Sequence, residues 1–290
     1  MFRSPKARLT AAALGLTAAL APLNLSAQPG GAPVVLAPHR AVYEITLDQA
    51  RGGSGVSDLS GRMVYELTGS ACEGFTQNMR FVTRMTNQEG VETLNDLRSS
   101  SWEEIAGRRL RFSSSQYQDD KLSEASQGDA ARDKDAATAS VDLVKPGKKH
   151  MTLPADIYFP MQHATALIQA AKAGRKLFAA NLYDGTEKGD KYYATNAVIG
   201  KKVEPGASKK LADFKESARL AALQSWPMGI SYFELGKEKQ DTPPAYELSF
   251  RYFENGVTAD LKIDYGEFAI KGELKDLTFL DASKCPPGAH

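Results

Sequence analysis

A single helical segment interrupts a chain whose other apolar residues alternate with polar ones. After Pro160, apolar side chains recur three or four residues apart, and no Gly or further Pro occurs before Gly174. This spacing predicts a helix of about three and a half turns. It begins at Pro160, because the N–H that proline lacks would have no partner in the first turn of a helix. It ends at Gly174, because glycine readily adopts the left-handed conformation that ends many helices. Because the flanking sequence is typical of strands, we interpret the helix as a plug or lid between two β halves. Its apolar face is formed by Met161, Ala164, Leu167, Ile168 and Ala171.

The first 27 residues have the pattern of a secretory signal. A basic start precedes an apolar run from Leu9 to Leu23, and Leu25-Ser26-Ala27 offers small residues for cleavage. A membrane anchor would need about 20 apolar residues, and Pro22 cuts this run short. We therefore predict that residues 1–27 are removed, that residues 28–37 form a flexible start, and that residues 38–286 form one β-rich domain without a transmembrane segment.

The charge of the remaining chain argues against nucleic acid as a partner. Removal of the signal leaves 36 − 3 = 33 Lys and Arg against 35 Asp and Glu, which is a net charge of −2. A slightly acidic chain with both signs interspersed lacks the basic surface that binding to nucleic acid requires.

Most of the chain carries the period of two that is typical of strands with one buried face. Near the end, alternating residues at 246–252 and 257–263 flank Asn255-Gly256, which predicts a hairpin with a two-residue type I′ turn. Residues 119–149 are rich in Asp, Lys, Ser and Ala, and we predict only a short strand there, at 138–143. A helical segment is expected within 209–223. Further strands are predicted at 43–47, 63–67, 75–85, 94–102, 110–117, 177–183, 191–199 and 268–280.

A long antiparallel sheet with one helix must curl to bury its apolar face. We therefore predict an all-β protein with a single large, strongly curved, open-barrel-like antiparallel sheet, one central helix and minor helical segments. The rows of Phe, Tyr and Met on the predicted strands would either line a ligand cavity or fill a core, and we favour the core.

Two cysteines, Cys72 and Cys285, remain in a chain that we predict to be exported. An even, small number of cysteines in an oxidising compartment favours one disulfide over two free thiols, and a metal site would require four ligands at closer spacing. Such a bridge would enclose 285 − 72 = 213 intervals of chain and stabilise the fold by about 5 kcal/mol on the loop-entropy account. It would tie the last strand back to the first part of the sheet.

Few side chains have the spacing of a catalytic or metal site. None of the four histidines is spaced with another His, a Cys or an acidic residue as a zinc pair requires, and the sequence contains no nucleophile elbow, Walker loop or dinucleotide fingerprint. His163 could act as a general base with Asp184. We favour the interpretation that His163 satisfies hydrogen bonds at the helix start or in a turn and that Asp184 shapes its hairpin. We expect no catalytic residue, no metal and no cofactor.

Four features occur together in this sequence: Phe159-Pro160-x-x-His163, the Ala-rich helix that ends at Gly174, Asp184-Gly185-Thr186 about ten residues later, and the two distant cysteines. With these features the chain resembles the cell-envelope integrity protein B family, long catalogued as a domain of unknown function. The resemblance extends from about Ala37 to Pro286. Position 186 is Thr where we would expect Ser, so the hydroxyl is kept. The motif residues are candidates for a structural or binding role.

The resemblance implies a periplasmic protein of Gram-negative bacteria, folded as one spiral-like antiparallel sheet with Cys72 and Cys285 joined. It also implies a role in envelope integrity and stress resistance, with a periplasmic tetratricopeptide-repeat protein as a candidate partner. We therefore predict a non-enzymatic protein that acts by binding a protein or a ligand. Two alternatives remain: a carrier of a lipid or other apolar envelope ligand in the curved sheet, and a hydrolase of an envelope polymer.

Overall fold

The computed structural model describes residues 33–132, 138–207, 211, 213–235 and 242–285. The predicted secretory signal and residues 28–32 lie outside these ranges. The described residues form fifteen strands and two helices. The strands are β1 (His39–Ala50), β2 (Val56–Ser70), β3 (Gly74–Asn87), β4 (Glu92–Glu103), β5 (Arg109–Gln118), β6 (Lys121–Ala131), β7 (Ala139–Lys145), β8 (Lys149–Leu153), β9 (Ile157–Tyr158), β10 (Leu177–Leu182), β11 (Tyr193–Ile199), β12 (Ser225–Glu234), β13 (Tyr246–Phe253), β14 (Thr258–Asp264) and β15 (Phe268–Phe279), and the helices are α1 (Pro160–Lys172) and α2 (Ser217–Ala221).

All fifteen strands join one sheet in the order β8-β7-β6-β5-β4-β3-β2-β1-β15-β14-β13-β12-β11-β10-β9. Strand β1 lies at the centre because it pairs with both β2 and the last strand, β15. Neighbouring strands are antiparallel except β9 and β10, which run parallel because α1 lies between them in the chain. The predicted fold class, one large antiparallel sheet with one central helix, is confirmed.

The sheet curls until its two ends pack against each other. A buried cluster contains Leu110 of β5 and Val141 of β7 together with Ile157, Phe159 and Tyr183 from the opposite end of the sheet. Strands β8 and β9 are the two edges and are not paired with each other. The sheet is therefore a nearly closed barrel with a seam, and side-chain packing holds the seam together.

Residues 119–149, for which the sequence predicted one short strand and no other structure, contain β6, β7 and the start of β8. Only the strand predicted at 138–143 agrees with the structure, as β7. The inward positions of β6 are the small residues Ser126, Gly128 and Ala130, which have little strand propensity of their own. Pairing with β5 and β7 imposes the strand conformation. Small residues are needed there because a Cβ at Gly128 would lie 2.8 Å from the ring of Phe112.

The predicted hairpin of β13 and β14 is present, but its turn differs from the prediction. The N–H of Gly256 donates to the carbonyl of Phe253 at 2.9 Å, so the loop contains three residues, 254–256. Gly256 has a φ of +88°, whereas Asn255 does not adopt a positive φ. A type I′ turn requires positive φ at both central residues, so this loop is a type I turn followed by a left-handed glycine.

The described part of the N-terminal segment is anchored on this hairpin. Leu36 is buried, and the N–H of Ala37 donates to the carbonyl of Asn255 at 2.9 Å. Leu36 and Ala37 therefore have fixed contacts although residues 33–37 form no regular structure. The helical segment expected within 209–223 is α2, which is shorter than that range.

The disulfide joins Cys72, in the turn between β2 and β3, to Cys285, which follows β15. The two Cα atoms lie 5.7 Å apart. The N–H of Ser283 also donates to the carbonyl of Gly69, at 3.3 Å. The end of the described chain is thus fixed to the strands of the first half of the sheet, as the sequence predicted.

Candidate functional site

Helix α1 lies between two cavities, one on each of its faces. Ala164 and Leu167 line an inner cavity of about 410 Å³. Ala166 and Gln169 line an outer cavity of about 720 Å³. The side chain of Met161 borders both. The helix is therefore a partition, which agrees with its interpretation as a plug.

The inner cavity lies on the concave face of the sheet, and β1 to β5, β10 and β12 to β14 contribute to its walls. Aromatic and aliphatic side chains form one wall, among them Tyr232, Phe250 and Ile263. The preference for a filled core is wrong in this region. A single helix of thirteen residues cannot fill the space that so many curved strands enclose, so a cavity remains.

An acidic side chain from β4 holds the start of α1. Glu103 is 2% exposed, and its two carboxylate oxygens accept hydrogen bonds from the N–H groups of Met161, at 2.6 Å, and Gln162, at 2.9 Å. The residue that precedes the helix, Phe159, has no side-chain oxygen, so Glu103 supplies the cap that the free N–H groups need. Burial raises the pKa of Glu103 to about 7, although the two backbone donors oppose this shift.

His163 is buried on the inner face of α1 and serves as a neutral donor. Its Nε2 lies 3.0 Å from Oγ1 of Thr195, and that hydroxyl donates to the carbonyl of Ala180 at 2.9 Å. Because the hydroxyl has only one proton, Nε2 of His163 must carry the proton between the two side chains. Burial lowers the pKa of His163 to about 4. His163 thus links α1 to β10 and β11.

The Asp184-Gly185-Thr186 motif helps to close the seam of the barrel. The carboxylate of Asp184 accepts hydrogen bonds from the N–H and the hydroxyl of Thr186, at 2.9 and 2.7 Å. The hydroxyl of Ser126 on β6 donates to the carbonyl of Gly185 at 2.6 Å. Gly185 has a φ of +71°, and a Cβ there would lie 2.3 Å from the ring of Phe112. The loop between β10 and β11 therefore meets β5 and β6 at the other end of the sheet.

His163 and Asp184 line the same cavity but do not form a catalytic pair. Within the described residues no hydrogen bond joins them, because Nε2 of His163 is bonded to Thr195 and the Asp184 carboxylate to Thr186. Burial raises the pKa of Asp184. The bonds of Asp184 agree with its expected role in the hairpin turn, whereas the side chain of His163 bonds Thr195 on β11 and not the helix start or a turn.

Phe159, Pro160 and Gly174 determine where α1 begins and ends. Phe159 is fully buried in the seam cluster, with the Arg132 guanidinium 5.5 Å from its ring centre. Pro160 is the first helical residue. Gly174 has a φ of +72°, and its N–H donates to the carbonyl of Ala171 at 3.0 Å. The predicted helix start and the left-handed glycine at its end are both confirmed.

The outer cavity is bounded by both ends of the described chain. Val34 and Leu36 line it from the N-terminal segment, and Ala282 and Cys285 line it from the C-terminal segment. Because Cys285 is bonded to Cys72, the disulfide holds one wall of this cavity in place.

Sequence reasoning missed Glu103 and Ser126, which contact the central motif from distant strands. Neither lies in a recognisable motif. The sequence offers one partial signal: Phe159, which precedes the predicted helix, has no side-chain oxygen, so the first N–H groups of the helix need another acceptor or water.

The described residues contain no group of three or more His, Cys, Asp and Glu side chains that could hold a metal ion. No helix within the described ranges is both long enough and apolar enough to cross a membrane.

Comparison with known proteins extends these observations. The model of a family described as EipB-like matches residues 31–281. Cell envelope integrity protein EipB of Brucella abortus (strain 2308) is 38% identical over 283 residues, which cover 97% of this chain and 98% of that protein. The crystal structure of a β-barrel-like protein of a domain of unknown function from Brucella abortus matches with a TM-score of 0.77 and 37% identity, covering 86% of this chain and 100% of the other. The family resemblance inferred from the central motif is thereby confirmed.

Proposed function

The chain belongs to the EipB-like family, and we therefore propose that it supports the integrity of the cell envelope by binding an apolar envelope molecule in its inner cavity. The proposed role is non-enzymatic, and the proposed location is the periplasm, in line with the predicted secretory signal. Stress resistance and a tetratricopeptide-repeat partner stay predictions.

The observation that carries this proposal is the composition and position of the inner cavity. Its volume, about 410 Å³, lies within the range of about 300 to 1,000 Å³ that is usual for small-molecule sites. Met63 and Met79 line it from the first half of the sheet, and Leu248 and Ile263 line it from the second half. Methionine side chains adapt to apolar ligands of varied shape. The cavity therefore gives an apolar molecule apolar surroundings, which it lacks in water.

The bonding of the titratable side chains supports a role without catalysis. Nε2 of His163 donates to Thr195, so only Nδ1 could accept a substrate proton, and burial lowers the pKa of His163 to about 4, which makes it a weak base near neutral pH. Oδ1 of Asp184 accepts both hydrogen bonds from Thr186 and so helps to shape its own turn. We therefore prefer the binding role to the hydrolysis of an envelope polymer.

Native and denaturing mass spectra of the protein purified from a periplasm test this proposal. We expect a mass excess in the native spectrum that disappears on denaturation. Binding of the neutral dye Nile red gives a second measurement. Ala164→Phe places a ring in the inner cavity and should weaken dye binding at least about tenfold, because the ring occupies the space of the ligand.

The matched control is Ala166→Phe, which puts the same ring on the same helix but towards the outer cavity. It should leave dye affinity within about twofold of the original protein. Equal affinity of the Ala164→Phe variant and the original protein, or the absence of any dye binding, would refute a ligand site in the inner cavity.

A further inference from the structure

One wall of the inner cavity carries a row of uncharged polar side chains. Gln77 on β3 is paired with Ser101 on β4, and Ser99 on β4 is paired with Ser114 on β5. Paired residues of neighbouring strands share a face of the sheet, and all four line the cavity. This polar row differs from the wall of β12 to β14, where Ile230, Phe250 and other apolar residues dominate.

The polar row is available to a ligand. Within the described residues, the side chains of Gln77, Ser99, Ser101 and Ser114 make no hydrogen bond to the protein, and their polar atoms keep some accessible surface. The Tyr65 hydroxyl, on the adjoining strand β2, is also without a protein partner and reaches the same space. Polar groups inside proteins are nearly always hydrogen-bonded, so this wall is suited to a molecule with hydroxyl or carbonyl groups.

The cavity contains no positive charge to hold an anion. Among the described residues that line it there is no Lys or Arg. His163 is neutral, since burial lowers its pKa to about 4 and its Nε2 donates to Thr195. A carboxylate or phosphate in this space would therefore be buried without a counter-charge, which is strongly unfavourable.

In the part of the chain that the structure describes, the cavity offers a cation only one carboxyl as a counter-charge. Asp184 is its one acidic lining residue within the described ranges, and both hydrogen bonds of its carboxylate come from Thr186. Burial disfavours the charged form of Asp184 and raises its pKa, so this carboxyl is a poor counter-charge for a buried cation.

We infer that the ligand of the inner cavity is an uncharged amphiphile, with an aliphatic part against β12 to β14 and a hydroxyl or ester end against the row of Gln77, Ser99, Ser101 and Ser114. The inference rests on the proposed function, since it names the class of molecule that the proposed site takes. The inference predicts that a neutral alcohol or glyceride binds in the cavity, and that a fatty acid, a phospholipid headgroup or a cationic lipid binds much more weakly.

The test compares three probes with the same ten-carbon chain: decanol, decanoate and decyltrimethylammonium. Each displaces Nile red from the purified protein at pH 8, below the concentration at which it forms micelles. Decanol should bind at least about tenfold more tightly than either charged probe, because a charged head group loses its hydration in the cavity, and the described lining residues offer no cation to decanoate and only the Asp184 carboxyl to decyltrimethylammonium. Gln77→Lys adds a cation to the polar row and should lower the ratio of decanol to decanoate affinity at least about tenfold. Gln77→Met has a similar length without charge and should leave decanoate no tighter than in the original protein.

Decanoate or decyltrimethylammonium binding as tightly as decanol would overturn the inference and leave the proposed cavity site standing. Nile red binding that none of the three probes displaces would also overturn it. The absence of any Nile red binding would overturn the proposed function as well, so the two failures are distinguishable.

Discussion

Replacement of Glu103 by Gln tests the unusual cap of α1. Glu103 is buried on β4, and its carboxylate accepts the first free N–H groups of the helix. Gln has nearly the same shape and keeps one oxygen acceptor, but it cannot ionise. The variant therefore separates the hydrogen-bonding role of this side chain from the free energy of burying its charge.

The magnitude follows from the shifted pKa. Burial raises the pKa of Glu103 from 4.5 to about 7, so the folded state favours the protonated form. The stability linked to that form is fully present below about pH 4.5 and is lost as the pH rises through about 7. Between pH 5 and pH 8 the original protein should lose about 2 to 3 kcal/mol of unfolding free energy that the Glu103→Gln variant keeps.

Thermal unfolding followed by the fluorescence of Trp102 and Trp226 measures this difference. For a domain of this size, 1 kcal/mol corresponds to about 2 to 4 °C in Tm. The Tm of Glu103→Gln minus that of the original protein should therefore rise by about 5 to 10 °C between pH 5 and pH 8. Glu104→Gln removes the same charge from the next residue, which bonds Arg108 and not α1, and serves as the control.

A difference in Tm that stays constant between the two pH values would refute this reasoning. A difference that falls with rising pH would show that the helix N–H groups outweigh burial and keep the carboxylate ionised. Either result would require a different account of how the start of α1 is held.

Three further predictions concern stability. The pKa of His163 is lowered to about 4, so the stability linked to its neutral form is fully present above about pH 6.5 and is lost as the pH falls through about 4. Relative to a His163→Gln variant, the original protein should therefore lose about 2 to 3 kcal/mol of unfolding free energy between pH 7 and pH 4.5. Thermal unfolding of both proteins at the two pH values measures this loss. Gly185→Ala should lower the free energy of unfolding by about 2 to 4 kcal/mol, because the new Cβ would meet an aromatic ring of β5. Gly90→Ala is the control, since Gly90 also has a positive φ but faces open space, and it should lower the free energy of unfolding by only about 1 kcal/mol. Equal losses would contradict the close packing of the seam. Replacing both Cys72 and Cys285 by Ala should lower stability by up to about 5 kcal/mol in urea unfolding, and an unchanged midpoint would contradict the loop-closure argument.

Predictions from local sequence agree best with the structure where local chemistry determines the conformation. The helix begins at Pro160 and ends before Gly174 because a fixed φ suits the first position and a left-handed glycine suits the end. Most strands follow the alternation of apolar and polar residues. The turn at Gly256 differs because two- and three-residue hairpin loops use similar residues, and packing against Leu36 accompanies the longer loop.

Predictions fail where distant parts of the chain meet. Strand β6 has weak propensity and exists because β5 and β7 pair with it. Glu103 caps a helix about 58 residues away, and the hydroxyl of Ser126 bonds a loop about 59 residues away. The residues around Glu103 and Ser126 contain no pattern that predicts either contact. The inner cavity depends on how far the sheet curls, which is a property of the whole set of strands.

The sequence by itself therefore determined the fold class, the limits of α1, the two cysteines available for a disulfide and the family of the chain, because each depends on residue type and spacing. The tertiary structure decided that His163 and Asp184 have separate partners, that the barrel closes through a packed seam, and that a cavity with one polar wall lies beneath α1. Burial and long-range pairing determine these features, since they set which polar groups meet and which charges can exist inside the protein.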